Sequence, residues 1–218
     1  MNIRALARSI VWATGLAALM LLTGEARPAW CSDTAAPSHG NHGMLPPAAV
    51  ADHPHTDSLY NVESVWSDQD GARVALKSLR GQLRIVAMVY TSCQYVCPLI
   101  VNDMLTIERR LPPGMRGKVH FALFSFDPER DSAPVLKAYA AKRGLDERRW
   151  RLYTGAPDNV LELAAVLGVR YRKEPNGEFS HSTIITLLDR EGIVRHQVKG
   201  QKQDPAPMVA AITAAAGK

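Results

Sequence analysis

Several scarcities in this chain of 218 residues narrow what it can be. There are three cysteines, Cys31, Cys93 and Cys97, too few to staple a disulfide scaffold; a close pair plus one outlier points instead to redox or metal chemistry. Aromatic residues make up 6% of the chain, and no stretch interleaves them with clustered Lys and Arg. With a formal charge of only +5, this gives no footprint for nucleic acid and leaves a mildly basic, solvated surface. No internal repeat is visible, so a solenoid is excluded. The 46% hydrophobic content suffices for one domain with a proper core, and two full domains are not expected.

Residues 1–26 have the layout of an export signal: Arg4 and Arg8 precede the apolar run Ile10 to Leu22, and small residues follow. That run is shorter than the ~20 residues a spanning helix usually needs, so cleavage, for example after Gly24-Glu25-Ala26, is expected over a retained anchor. Membrane association through the N-terminus stays open. Cys31 is not preceded by a lipobox, because Pro28-Ala29-Trp30 lacks the Leu-like residue three positions before it; it reads as a bystander thiol. Residues 27–56 shift to Ala, Pro, Gly, Ser and His with no apolar period, the composition of a flexible tether. Within them His39, His42, Met44, His53 and His55 carry groups competent to bind copper, although a solvated linker that happens to hold histidines has the same composition.

From residue 57 to 218 the pattern is that of one α/β domain. Val62, Val65 and Trp66 before the Asp70-Gly71 turn, with Val74 and Leu76 after it, predict an N-terminal β-hairpin. Leu83 to Tyr90 is a short β-forming apolar run, as suits a strand buried on both faces. After Cys97 the period changes: Pro98 suits the first helical position, and Ile100, Met104, Ile107 and Leu111 continue the helix until Pro112-Pro113. Lys118 to Phe126 predicts a second buried strand, and a helix follows with Asp131 or Ser132 as its cap. A further helix spans Asp158 to Gly168, and Ser182–Leu188 with Gly192–His196 forms a hairpin about Asp189-Arg190-Glu191. Asp204 caps a last helix. The order strand, helix, strand, helix, hairpin, helix is that of a thioredoxin-like fold: a central mixed sheet flanked by helices, here with an extra N-terminal hairpin.

The chemistry is expected at Cys93-Gln94-Tyr95-Val96-Cys97, a dithiol at a strand-to-helix turn, where free N–H groups and the helix dipole favour thiolate. Thiol–disulfide enzymes of this fold use two intervening residues between the thiols; a third changes the geometry and leaves room for an ion without forbidding a disulfide. Such enzymes also carry a proline just before the strand facing the dithiol. Here that place reads Phe179-Ser180-His181-Ser182, so a histidine looks toward the sulfurs. Two thiolates and an imidazole suit copper by softness, whereas a structural zinc would call for a fourth protein ligand.

The chain resembles the SCO/SenC family of thioredoxin-fold copper proteins involved in cytochrome c oxidase assembly, over roughly residues 58 to 216. The resemblance is carried by Leu79-Arg80-Gly81, Tyr90-Thr91-Ser92-Cys93 through Cys97-Pro98, Asp127-Pro128-Glu129-Arg130-Asp131, and His181 before a β-run. It implies Cys93, Cys97 and His181 as copper ligands. It also places Asp127 and Asp131 near the site in partner contact, against the plainer reading of a strand terminus and a helix cap. Ser180 departs from the family, which often has Asp before the histidine. The implied function is a periplasmic or membrane-facing metallochaperone, not primarily an enzyme, that delivers copper to the copper-bearing subunit of cytochrome c oxidase, at the CuA centre. Further implied partners are another periplasmic copper chaperone or a thiol reductant. A thiol–disulfide reductase acting on the oxidase cysteines, and copper storage or redox sensing, are the alternatives.

Overall fold

The computed structural model describes residues 57–217. The expected export signal, the tether, Cys31 and the His/Met cluster all lie outside the described residues.

Among the described residues there are nine strands and four α-helices: β1 (Val65–Asp68), β2 (Arg73–Ala75), β3 (Leu83–Val89), α1 (Val96–Arg110), β4 (Val119–Ser125), α2 (Ala133–Lys142), β5 (Trp150–Gly155), α3 (Pro157–Leu167), β6 (Tyr171–Lys173), β7 (Phe179–His181), β8 (Ile184–Leu188), β9 (Val194–Lys199) and α4 (Ala206–Ala216). Seven strands form one mixed sheet in the order β2-β1-β5-β4-β3-β8-β9, and β6 with β7 forms a separate ribbon. The fold is thioredoxin-like, with parallel pairing of β3, β4 and β5 at its centre and antiparallel pairs on both sides. The N-terminal hairpin of β1 and β2 extends this sheet through β5.

All seven residues of β3 are buried, which is why Leu83 to Val89 carries no polar alternation apart from Arg84. The core grows from the same row. Phe121 of β4 stacks on Trp150 of β5 at 4.4 Å and 10°, and Trp66 of β1 meets Phe124 edge-on at 4.8 Å. Truncating either partner of the Phe121–Trp150 stack should cost about 3–5 kcal/mol. Gly155 pairs with Trp66 across β1 and β5, and a Cβ there would sit 2.7 Å from the indole; the close approach of the two strands requires glycine.

Four sequence expectations need correction. The sequence pattern predicts no strand at β5, because Arg151 and the preceding Arg149 flank its apolar residues; Trp150 and Leu152 are nevertheless fully buried. Helix α1 begins at Val96, two residues before Pro98, so the proline occupies the third helical position. The C-terminal hairpin strand begins at Ile184, not Ser182, and residues 171–181 form the β6–β7 ribbon that precedes it. The cap position of α4 falls on Pro205, one residue after the expected Asp204, whose carboxylate accepts from the Ala206 N–H at 3.0 Å.

Candidate metal centre

The site lies where β3 ends and α1 begins. Tyr90 follows β3, the loop Thr91–Tyr95 turns, and Cys97 is the second residue of α1. No side chain caps this helix at Tyr95. One of its orphan donors meets sulfur instead: the Cys97 N–H donates to Cys93 Sγ at 3.3 Å. The Tyr90 N–H, just past the end of β3, donates to Cys97 Sγ at 3.4 Å. Cys97 is fully buried and Cys93 nearly so, and both thiols are free.

His181 arrives from the other side of the sequence, at the end of β7. Its Nε2 is 3.6 Å from Cys97 Sγ, and its Nδ1 is 3.1 Å from the Ser182 carbonyl oxygen. A carbonyl only accepts, so this contact assigns the proton to Nδ1 and leaves the Nε2 lone pair facing the sulfurs. The potential ligand atoms of Cys93, Cys97 and His181 all lie within 4.8 Å of one another. Among the described residues this is the one His/Cys/Asp/Glu group of three or more gathered closely enough to hold an ion. Two soft sulfurs and an oriented imidazole nitrogen fit copper, and the missing fourth protein ligand does not fit structural zinc.

The two thiols are not equivalent. Cys93 is lowered to about 4, first by the hydrogen bond from the Cys97 thiol and then by the backbone N–H groups of Cys97 and Tyr95, against a burial that opposes ionisation. Cys97 is pushed far above the ordinary thiol range, since it supplies that hydrogen bond and sits deeper. One thiolate at the rim and one thiol beneath it is the resting arrangement.

Residues that the sequence reading passed over hold this geometry. The Tyr90 ring packs between Phe126 at 5.1 Å and Phe179 at 5.2 Å, and His181 rests on Phe126 at 4.9 Å. Tyr90 donates its hydroxyl proton to Glu178 at 2.6 Å, tying the dithiol strand to the β6–β7 ribbon. Arg130 extends over the Tyr90 and Phe179 rings while bonding Asp127 and the Gly177 carbonyl. The available signal was the run of aromatics at strand ends, Tyr90 beside the dithiol and Phe126 beside Asp127.

The acidic segment behaves differently from expectation. Asp131 is completely buried and caps no helix; α2 starts behind Ser132 with no side-chain cap. Its carboxylate accepts from the Thr91 N–H at 3.0 Å, the Thr91 hydroxyl at 2.5 Å and the Ser125 hydroxyl at 2.6 Å, pinning the dithiol loop to the end of β4. Asp127, 1% exposed, is paired with Arg130. Neither carboxylate is free to contact a partner. Ser180 is exposed on β7 opposite Arg172, and the Ser182 carbonyl, rather than the residue before the histidine, fixes the imidazole.

Residues 56–217 match the family model described as SCO1/SenC. The chain belongs to this family. A SCO1 protein homolog of Bacillus subtilis (strain 168) is 29% identical over 150 residues, covering 67% of this chain and 77% of the relative. Among solved structures, Bradyrhizobium japonicum ScoI with copper bound shares 25% identity at a TM-score of 0.56, covering 69% of this chain and 96% of its own. BsSco, in which a disulfide switch was identified and which is described as a member of the Sco family of cytochrome c oxidase assembly proteins, shares 25% identity at a TM-score of 0.60, covering 70% and 91%. Copper-bound structures thus occur among the SCO relatives of this chain.

Proposed function

We propose that this SCO1/SenC protein is a copper metallochaperone that takes one copper ion as cargo on Cys93, Cys97 and His181 and passes it to the copper-bearing subunit of cytochrome c oxidase, at the CuA site. The observation that carries the reading is the Nε2 atom of His181 turned toward the Cys97 sulfur at 3.6 Å, because a disulfide enzyme has no need of an imidazole there. Copper in a related structure and the oxidase-assembly description of another support the same choice. Loading requires Cys97 to give up its proton, so uptake is coupled to deprotonation. Release would begin at His181, the ligand on the half-buried ribbon, with an incoming imidazole or thiolate replacing it before the thiolates let go.

The export signal of residues 1–26, a tether of residues 27–56 and a copper-binding domain of residues 57–218 complete the proposal and put the protein outside the cytoplasm, in the periplasm or held at the membrane.

A second reading is favoured by the thiol asymmetry: Cys93 as attacking thiolate and Cys97 as resolving thiol suit a reductase of the oxidase cysteines. In it the Cys93 thiolate opens a target disulfide. Cys97 then loses its proton and closes the Cys93–Cys97 disulfide, leaving the target as a dithiol and this protein to be re-reduced by an external thiol. Titrating the reduced and the oxidised chain with copper separates the two. One copper per reduced chain and none per oxidised chain is expected, since a disulfide has no thiolate to offer. Equal binding by the oxidised form would remove the site. Disulfide turnover that survives His181→Ala and ends with Cys93→Ser would move the assignment to the reductase.

A further inference from the structure

The metal centre lies beyond one end of the parallel strands. The other end carries a distinct chemical feature. Between residues 109 and 118 the chain reads Arg-Arg-Leu-Pro-Pro-Gly-Met-Arg-Gly-Lys, four cations with no acidic residue. Arg109, Arg110, Arg116 and Lys118 are exposed, and among the described residues none of them makes an ion pair. Arg109 donates to the Thr106 hydroxyl at 2.8 Å, and Arg116 to the carbonyls of Leu111 and Arg109. Those bonds fix the guanidinium groups without neutralising them. Beside them a 420 Å³ cleft is lined by Arg116, His120, Arg148 and Arg149 together with Asp146 and Gly117. The positive field is felt inside it: burial, then the charges of Arg84 and Arg149, disfavour protonation of His120.

The strand pairing fixes where this surface lies. Leu83 pairs with Val119, so the segment 109–118, the last residues of α1 and the loop that leads into β4, sits at the starting end of β3. Arg84 pairs with Leu188, which brings the β8–β9 turn to the same end. Two backbone bonds tie that turn in place: the Leu59 N–H donates to the Gly192 carbonyl at 2.9 Å, and the Gly81 N–H, just before β3, to the Arg190 carbonyl at 2.8 Å. The dithiol follows the opposite end of β3, about 20 Å away for a strand of this length.

We propose that this pole, formed by Arg109, Arg110, Arg116 and Lys118, rests on an anionic phospholipid bilayer and turns the metal centre toward the aqueous side. The loop suits a bilayer better than a protein partner. Its tip, Pro112-Pro113-Gly114, bears no aromatic or aliphatic anchor; Leu111 is already buried in the domain and Met115 half-buried. A small free anion suits it less, because Arg148 and Arg149 in the cleft are committed to Asp146 and Glu108. The attachment is electrostatic, close to the surface and additive over the four charges, and it stands independently of what the dithiol binds.

The test uses the full chain with vesicles of phosphatidylcholine, alone or with a one-third share of phosphatidylglycerol. Whatever the apolar run contributes is common to every sample. Phosphatidylglycerol should raise partitioning by about 10-fold or more at low salt, and the gain should vanish at high salt. The R109Q/R110Q/R116Q/K118Q variant should show no phosphatidylglycerol-dependent gain. The triple variant R109Q/R110Q/K118Q, which keeps the Arg116 bonds to the backbone, should lose most of it; R172Q/K173Q, on the ribbon beside the metal centre, should keep it. Native partitioning that is indifferent to phosphatidylglycerol, or a folded triple variant that binds like the native chain, overturns the proposal. So does displacement by millimolar inorganic phosphate at constant ionic strength, which would mark a small-anion site.

Discussion

The Nε2 atom of His181 lies 3.6 Å from Sγ of Cys97, although 84 residues separate them in the chain. Nothing local to either residue produces that approach. It follows from the antiparallel pairing of β8 with β3 and from the aromatic contacts that seat the β6–β7 ribbon over the dithiol. Replacing His181 with Ala should leave the fold intact, since the residue is half-buried at a ribbon end and outside the hydrophobic cluster. Copper affinity should fall about 10-fold or more, taking the loss typical of residues that merely support a ligand as a floor. Cu(II), which favours nitrogen, should suffer more than Cu(I), which two thiolates still hold. Thermal unfolding of the apo proteins followed by chelator-competed titration with each ion checks this. Unchanged affinity for both ions in a folded variant would take His181 out of the site.

Asp131 is the buried fastener of the dithiol loop, and its removal should be felt as instability before it is felt as lost chemistry. Asp131→Ala removes the acceptor of the half-buried Thr91 N–H and hydroxyl and of the buried Ser125 hydroxyl. The cost should be about 3 kcal/mol, since three bonds to a charged group are lost and the buried Ser125 hydroxyl is left unpaired. Asp131→Asn, which retains one acceptor oxygen, should fall between. Urea unfolding of the three proteins measures it, and a loss below about 1 kcal/mol for the alanine variant would contradict the account.

The same residue marks the limit of what was legible in sequence. An Asp before a helix reads as a cap because local pattern supplies that role first; here the carboxylate turns to a loop 40 residues earlier. The dithiol turn was readable because an all-apolar strand gives way to a helical period within a few residues, and burial on each side enforces both patterns. The β6–β7 ribbon was not. Its strands are three residues long, Arg172 and Lys173 are exposed, and it is held by Tyr90, Phe126 and Phe179 instead of by its own periodicity. Strand β5 hid for a related reason: its outward residues form ion pairs, as Arg151 does with Asp70, so charge masked two fully buried positions. Candidate ligands could be named from residue type and place, whereas the groups that orient them required tertiary structure.

The thiol asymmetry gives a pH profile. A thiol with its pKa lowered to about 4 is already thiolate at neutral pH, so alkylation of Cys93 by iodoacetamide should run at a nearly constant rate from pH 8 down to about 5 and fall only below that. An ordinary thiol would instead lose rate tenfold per pH unit across this range. Cys97, buried and shifted upward, should stay unmodified in the folded protein. Because the Cys97 thiol is the leading cause of the depression, Cys97→Ala should move the Cys93 profile toward higher pH. Peptide mapping after timed alkylation resolves the two sites. A native Cys93 rate that climbs steadily to pH 8 would refute the assignment.

The last expectation concerns Tyr90, which joins the two halves of the site without offering a ligand. Its hydroxyl donates to Glu178 at 2.6 Å, and its ring contacts Phe126 and Phe179. Tyr90→Phe keeps the ring and deletes only the link between the dithiol strand and the ribbon. Since the acceptor is a half-buried carboxylate that water can partly solvate, the stability loss should be modest, about 1 kcal/mol. The larger effect should be local. Without the link the ribbon opens more often, so amide exchange across residues 171–181 should accelerate while exchange in β3 and β4 is unchanged. Copper affinity should drop less than in His181→Ala, because all three donors remain and only their preorganisation is reduced. Glu178→Gln supplies the counterpart: it keeps an acceptor for the phenol and should preserve both the slow exchange and most of the affinity. If Tyr90→Phe left ribbon exchange and copper binding at native values, the hydrogen bond would be incidental, and the aromatic packing alone would have to hold His181 in place.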